Sequence, residues 1–552
     1  MLLNTANKEQ PFSRLDLAFS HFLAQRTSLG TKQKVAVELL LANLSYQQSQ
    51  GHSCIMLDEA EEQLILDSGL ISTEQIAPLK LEHNRLYLHR YWFYENRLAE
   101  QIKVFLLYSS PESGPENALL LDRYFIELID ETDWQREAAK KVMSQSFSII
   151  TGGPGTGKTT TVVKILALLQ ELAAIEQHSL HIALAAPTGK AAMRLQESIG
   201  FSKNALPCSE HIKQRIPETV TTLHRLLGAR PPSPYFKHNS TQPLVYDLVV
   251  VDEASMVDLA LMSKLVDALK PGSRLILLGD KDQLASVESG AVLADLTAAL
   301  PMNTVELKKS HRFQGEIKDL AIAVNSQLFE EAWDILNKPS EQVALLSDEL
   351  IGYIAMSYAS YLEKINLGAE FVEVFAEFGR FQVLCSNRHG GHGVIDINQK
   401  VEEKLQQQNK IHIAGQWYVG RPVMVTQNNA SMQLYNGDIG LCLYDKEAEK
   451  LAVYFLCSDG SVKKVLPSRV PEHETVFAMT IHKSQGSEFE ECLCVLPDTI
   501  NPVLTKELIY TAITRAKNKL KISGSYAVFS QAIQRRVVRT GGLHEKLLMD
   551  NR

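Results

Sequence analysis

The sequence predicts an α/β protein. Two nucleotide-binding α/β domains are expected, with a small β-barrel-like insertion in the second and a helical accessory domain at the N-terminus. Three observations carry this. The glycine-rich loop Gly152-Gly153-Pro154-Gly155-Thr156-Gly157-Lys158-Thr159 stands between a short apolar run and a helical apolar stripe. Short buried runs that end in polar residues recur in both halves of the chain. From about Ile411 to Val465 the pattern changes to alternating runs broken by turns, as at Asn436-Gly437-Asp438.

A chain of 552 residues exceeds one hydrophobic core and calls for roughly three or four domains. With 45% hydrophobic and 22% charged residues it falls among ordinary globular proteins. It has no apolar run of the roughly eighteen residues a membrane span needs, and Met1 to Gln10 is too polar for a signal peptide. A cytoplasmic protein with no membrane partner is expected. Seven cysteines are scattered, and the close pair Cys492-Leu493-Cys494 reads as part of a buried strand rather than a metal site. The net charge of −8 neither supports nor excludes a nucleic-acid partner, because only a local channel would need to be positive.

Residues 1–125 carry no catalytic motif and form the expected accessory domain. Val35 to Leu44 reads as a buried helix and Tyr91-Trp92-Phe93 as an aromatic patch, while Ser109 to Pro115 is loop material. The first α/β domain is placed at 126–310, with a loop insertion near 200–245. Gln135 stands just upstream of the phosphate loop, where its amide can pair with an adenine edge; alone it would read as a helix surface residue. Phe147 to Thr151 is the strand before the loop. Val162, Ile165, Leu166 and Leu169 stripe the helix after it. In such a loop the backbone N–H groups turn onto phosphate oxygens, Lys158 reaches the β- and γ-phosphates, and Thr159 ligates Mg²⁺, with Thr160 beside it.

Ile182 to Ala186 is a second strand, running into Pro187-Thr188-Gly189-Lys190. Leu248 to Val251 is a third, ending in Asp252 and Glu253; Asp252 can hold Mg²⁺ and Glu253 can orient or deprotonate a water. A fourth begins at Leu275 and leads to Gln283, placed to sense the γ-phosphate. Arg312 is a candidate arginine finger. The second α/β domain is placed at 311–552, with strand Phe381 to Cys385 and the β-rich insertion near 410–470. Thr480 to Phe489 offers hydroxyls, an amide and a lysine to a phosphate backbone. Arg515 is a second candidate finger, across a cleft from the loop.

The ordered set GGPGTGKTTT, APTGKAAMRL, VVVDEAS, GDKDQLASVESGAVL, KKSHRF, TIHKSQGSEF and YTAITRAK resembles the superfamily 1 helicases. Within them it is most similar to the RecD family of superfamily 1B, alpha subunits of exodeoxyribonuclease V (the RecBCD complex). TLHRLLG, the RPVMVTQNN–YNGDIG segment and GHSCIML extend the likeness over nearly the whole chain. The resemblance implies two RecA-like P-loop NTPase domains, an SH3-like insertion, and ATP-driven 5′ to 3′ movement on single-stranded DNA. It also implies RecB-like beta and RecC-like gamma partner subunits, the beta subunit carrying the nuclease. On the same pattern Gln135 meets adenine, and Gln283, Arg312 and Arg515 meet the γ-phosphate. A stand-alone RecD-like branch has a longer N-terminal extension, so the complex-bound kind is expected. The rivals are that stand-alone helicase, a decayed scaffold subunit, and a P-loop ATPase acting on protein or RNA.

Overall fold

The computed structural model describes residues 12–72, 76–108, 115–125, 132–286, 288–309, 315–346, 349–429, 431–457 and 460–549. The N-terminal part is helical, as expected, and also contains a small sheet. Helix Arg14–Ala24 opens on a capping box in which Ser13 and Asp16 bond each other's backbone N–H. It packs on helix Thr31–Ser49 through Leu23, Val37, Leu41 and Leu44. Strands β1 (Cys54–Met56), β2 (Leu79–Glu82) and β3 (Arg85–Leu88) pair antiparallel in the order β1-β3-β2. The next helix, His89–Leu107, leaves this core. Its Leu98, Ile102 and Phe105 are buried against the first α/β domain.

The first α/β domain is a six-stranded sheet of β4 (Phe147–Thr151), β5 (Ile182–Ala186), β6 (Val220–Thr222), β7 (Leu248–Val251), β8 (Arg274–Gly279) and β9 (Thr304–Glu306). The order is β6-β5-β7-β8-β4-β9 and every pair is parallel. Helices cover both faces, which is why β4, β5 and β7 are buried end to end and show no alternation. The carboxyl ends of β7, β8 and β4 lie side by side, the usual ligand edge of such a sheet. The stretch near 200–245 departs from a simple loop. Ile212 and Ile216 are buried in this domain's core, and Val220–Thr222 adds the edge strand β6. The longest irregular run follows Gly228 and includes the proline-rich turn at Pro231-Pro232 with Tyr235 exposed.

In the second α/β domain, β10 (Val343–Leu345) and β11 (Phe381–Cys385) precede an inserted antiparallel sheet. The insertion holds β12 (Pro422–Val425), β13 (Ile439–Asp445), β14 (Lys450–Leu456), β15 (Val462–Val465) and β16 (His473–Thr475), in the order β15-β14-β13-β12-β16. It has a core of its own around Val423, Val453 and Phe455. Trp417 to Val419 forms no strand. The chain re-enters the parallel sheet as β17 (Ala478–Thr480), β18 (Phe489–Val495) and β19 (Ala516–Ser523), ordered β10-β19-β18-β11-β17. Only Val476 and Phe477, both fully buried, separate β16 from β17. That joint is pinned: Tyr358 Oη donates to Phe477 O at 2.6 Å, and Asn398 bonds Thr475 O and Ala478 N at 2.9 and 2.8 Å.

The last helix, Leu543–Leu548, returns to the first domain, where Leu543 and Leu547 pack with helix His89–Leu107. Cys492 and Cys494 are buried thiols on β18. Among the described residues there is no cluster of metal-ligating side chains, and no helix is long and apolar enough to cross a membrane.

Candidate active site

The phosphate loop is shaped by the strand before it and the helix after it. β4 ends at Thr151, and helix Lys158–Ile175 starts at Gly157, whose φ of +83° suits glycine and would strain a side chain. At Gly153 the constraint is proximity, since a Cβ there would lie 3.1 Å from the Tyr510 hydroxyl of the second domain. Lys158 Nζ donates to Gly152 O at 2.6 Å and Gly153 O at 3.1 Å, and Thr156 Oγ1 donates to Gly153 O at 2.8 Å.

A cavity of about 590 Å³ opens over this loop, between the domains. From the first domain it takes Gln135, Pro154, Gly155, Gly157, Lys158, Thr159, Thr160, Asp252, Glu253 and Gln283, and from the second Arg515. Gly152, Gly153 and Thr156 complete the loop without lining this cavity. Thr156 instead meets Trp134 and Gln135 in an adjoining cavity of about 460 Å³. Arg312 lies outside the described residues.

Glu253 sits at φ +51°, ψ +40°, a left-handed conformation that costs a residue with a Cβ about 1–2 kcal/mol and sets its carboxylate beside Asp252 at the cavity. Burial, then the Glu253 charge, pushes the Asp252 carboxyl up to about 6, against the pull of Lys158. Thr159 and Asp252 give a hydroxyl and a half-buried carboxylate to one wall of the cavity, a hard oxygen pair suited to Mg²⁺ beside phosphate.

Arg515 is 2% exposed. Its Nε donates to Thr511 O and its Nη1 to Ser487 O, both at 3.1 Å, which fixes the guanidinium plane. Burial works against its charge, and Glu253 and Glu488 offset that.

Four further residues complete the site. Arg194, from the first domain, pairs with Glu488 at 2.7 Å and donates to Gly486 O at 2.8 Å, closing one side of the cavity across the cleft. Asp280, at the end of β8, accepts from Gln283 Nε2 at 3.0 Å and from Tyr510 Oη at 3.1 Å, joining the two domains beneath Lys158. All four lie in conspicuous segments, yet nothing in their local sequence sets them apart. The Thr480–Phe489 segment reaches the cavity through Gly486 and Glu488. Ser484 donates to Ile481 O, Lys483 pairs with Glu474, and Gln485 donates to Leu284 O across the cleft. These groups are held by protein partners because the segment turns into the domain junction.

Burial also pushes the Asp280 carboxyl up to about 6, with Lys158 opposing. A raised folded-state value penalises the native state wherever the carboxylate ionises. The penalty is absent below the unfolded value of 3.8 and complete above about 6. It amounts to on the order of 3 kcal/mol. Thermal melts of the nucleotide-free chain should therefore show the wild-type melting temperature losing ground to Asp280→Asn as pH rises from 4 to 7. A difference that stays constant with pH would remove Asp280 as the titrating group.

A parallel sheet that turns its carboxyl edge and phosphate loop onto one cavity, met from the second domain by a buried arginine just ahead of β19, makes this an ATP-dependent enzyme of the helicase class. The AAA domain model matches residues 135–289 and the UvrD-like helicase C-terminal domain residues 475–522. Two more specific models match as well: the ATP-dependent RecD-like DNA helicase SH3 domain at 397–455 and the N-terminal domain of RecBCD enzyme subunit RecD at 8–69. The chain is 37% identical to the RecBCD enzyme subunit RecD of Mycolicibacterium smegmatis, over 97% of each chain. It is 34% identical to that of Haemophilus influenzae over 98% of each. Against the ATP-dependent RecD2 DNA helicase of Deinococcus radiodurans identity is 30%, over 87% of this chain and 61% of the other. The chain belongs to the RecD family.

Proposed function

We propose that this protein is the RecD subunit of a RecBCD-type helicase–nuclease, a motor that moves 5′ to 3′ along single-stranded DNA and unwinds DNA ends in double-strand break repair. It would act in the cytoplasm beside RecB-like and RecC-like subunits. The observation that carries the reading is the cavity shared by Lys158 and Arg515, one from each motor. The match of the RecD N-terminal model to residues 8–69 favours the complex-bound kind over the stand-alone helicase.

In this reading Gln135 meets the adenine edge, and the loop from Gly152 to Thr160 wraps the phosphates of ATP. Lys158 leaves the carbonyls of Gly152 and Gly153 for the β- and γ-phosphates. Thr159 and Asp252 would hold Mg²⁺, which when bound would supply charge neutralisation at the phosphates. Glu253 orients the attacking water and takes its proton. Gln283 reads the γ-phosphate from its bond to Asp280, and Arg515 stabilises charge as the terminal phosphate leaves. Arg312 joins them on the family pattern alone. Hydrolysis releases the hold of Arg515 on the terminal phosphate and loosens the contacts that Arg194 and Tyr510 make across the cleft, and the motors separate by one step.

The test is strand separation on duplexes carrying a 5′ or a 3′ single-stranded tail, by the purified chain and by its complex. Unwinding from the 5′ tail alone, with ATP and not with a non-hydrolysable analogue, is the expected result. Unwinding from the 3′ tail would overturn the polarity, and absence of DNA-stimulated ATPase in both preparations would revive the scaffold reading.

A further inference from the structure

The segment after Gln283 is held from three sides. Leu284 N donates to Thr511 Oγ1 at 3.0 Å and Leu284 O accepts from Gln485 Nε2 at 2.9 Å, both partners from the second motor. Beyond it, Arg539 gathers the backbone. Its Nη1 donates to Glu288 O at 2.9 Å and Gly290 O at 2.8 Å, and its Nη2 donates to Ser286 O. Arg539 lies on the strap that carries the chain back from the second motor to the last helix. The accessory domain builds its wall. A Cβ on Gly51 would lie 2.9 Å from the guanidinium carbon, and Gly51 O accepts from Gly290 N at 3.0 Å. The strap itself is moored to that domain. Thr540 N donates to His52 Nδ1 and Ser53 N donates to Thr540 O, each at 3.0 Å. Gly542 N reaches the buried Glu95 carboxylate at 3.0 Å.

We infer that Arg539 is a positioning residue for ATP hydrolysis: through Ser286, Glu288 and Gly290 it fixes the segment that presents Gln283 to the γ-phosphate, and it ties the turnover rate to the seating of the accessory domain. The inference rests on the γ-phosphate role proposed for Gln283. A planar fork suits the task, since it satisfies several carbonyls at once in fixed directions. Two residues lie between Gln283 and Ser286, at most about 10 Å of chain, so releasing the carbonyls loosens a segment then held at Leu284, by the Ser286 N–H bond to Ser255 O and by the bond of Gln283 to Asp280. The accessory domain's own chain reaches the same segment at Gly290, and a shift there is passed to Gln283 along backbone already clamped at both ends. Arg539 itself does not line the nucleotide cavity, so binding is largely spared.

The experiment compares full-length Arg539→Ala, Gly51→Ala and Gln283→Ala in DNA-stimulated ATPase at saturating single-stranded DNA. Because misplacing a reacting group by about 1 Å can cost on the order of 100-fold, a partial release at Arg539→Ala should lower kcat about 10-fold, with KM for ATP within about 2-fold. Added guanidinium, against sodium chloride at equal ionic strength, should restore Arg539→Ala several-fold and leave Gln283→Ala unchanged. Gly51→Ala, which crowds the guanidinium from the accessory side, should lower kcat in the same direction. Normal turnover in Arg539→Ala with a defective Gln283→Ala would overturn the inference alone. Normal turnover in Gln283→Ala would overturn the reading beneath it. Lost turnover with early melting and no rescue by guanidinium would reduce Arg539 to a structural strap.

Discussion

Replacing Lys158 with glutamine is expected to lower DNA-stimulated ATP hydrolysis by about 10³-fold, the range found when a donor aimed at developing charge is removed. The fold should be indifferent to the change. Lys158 is half-buried at the first turn of its helix, and its hydrogen bonds go to Gly152 and Gly153 of its own loop, which a glutamine amide can also reach. Phosphate release and a thermal melt, measured on the same preparation, separate the two quantities. Hydrolysis near the wild-type rate would take Lys158 out of the phosphate chemistry. An early melt would show that the loop depends on the lysine for its shape.

Arg515→Lys should reduce turnover by about 10³-fold, the low end of what an arginine finger contributes, while the affinity for ATP changes far less. Lysine is the informative replacement. It keeps the positive charge near Glu253 and Glu488 but cannot hold Thr511 O and Ser487 O with two arms while facing the cavity. Alanine would strip Ser487 O of its Arg515 donor at about 1–3 kcal/mol, leave Thr511 O with the Thr514 hydroxyl, and confuse a folding defect with a catalytic one. Single-turnover hydrolysis with equilibrium binding of a fluorescent ATP analogue resolves the question. Equal losses in binding and turnover would contradict the finger role.

The phosphate loop and the Asp252-Glu253 pair were legible because their chemistry is contiguous, eight residues after one strand and two after another. Arg194, Asp280, Glu488 and Tyr510 were not, because each acts with a partner far along the chain. Tyr510 meets Asp280 across 230 residues and Arg194 meets Gly486 across 292. No local pattern records such pairs. The hairpin of β2 and β3 escaped for a different reason: its turn residues, His83 and Asn84, adopt φ of +49° and +52° without the glycine that usually marks such a turn. The placement of the accessory domain at 1–125 followed composition, which carries no record of the core a helix packs against. Helix His89–Leu107 serves the first motor's core, and the buried pair of the last helix, Leu543 and Leu547, completes that contact. A pair in a six-residue helix carries no periodicity to read.

The joint between β16 and β17 governs how far the inserted barrel can follow events at the nucleotide. With Val476 and Phe477 sealed in the second motor's core and three side chains of that motor gripping the backbone around them, the barrel has no swivel of its own. Motor and barrel form one lever whose fulcrum is the cleft. A small rotation of the second motor at the nucleotide is magnified at the barrel's far end, in proportion to its distance from that fulcrum.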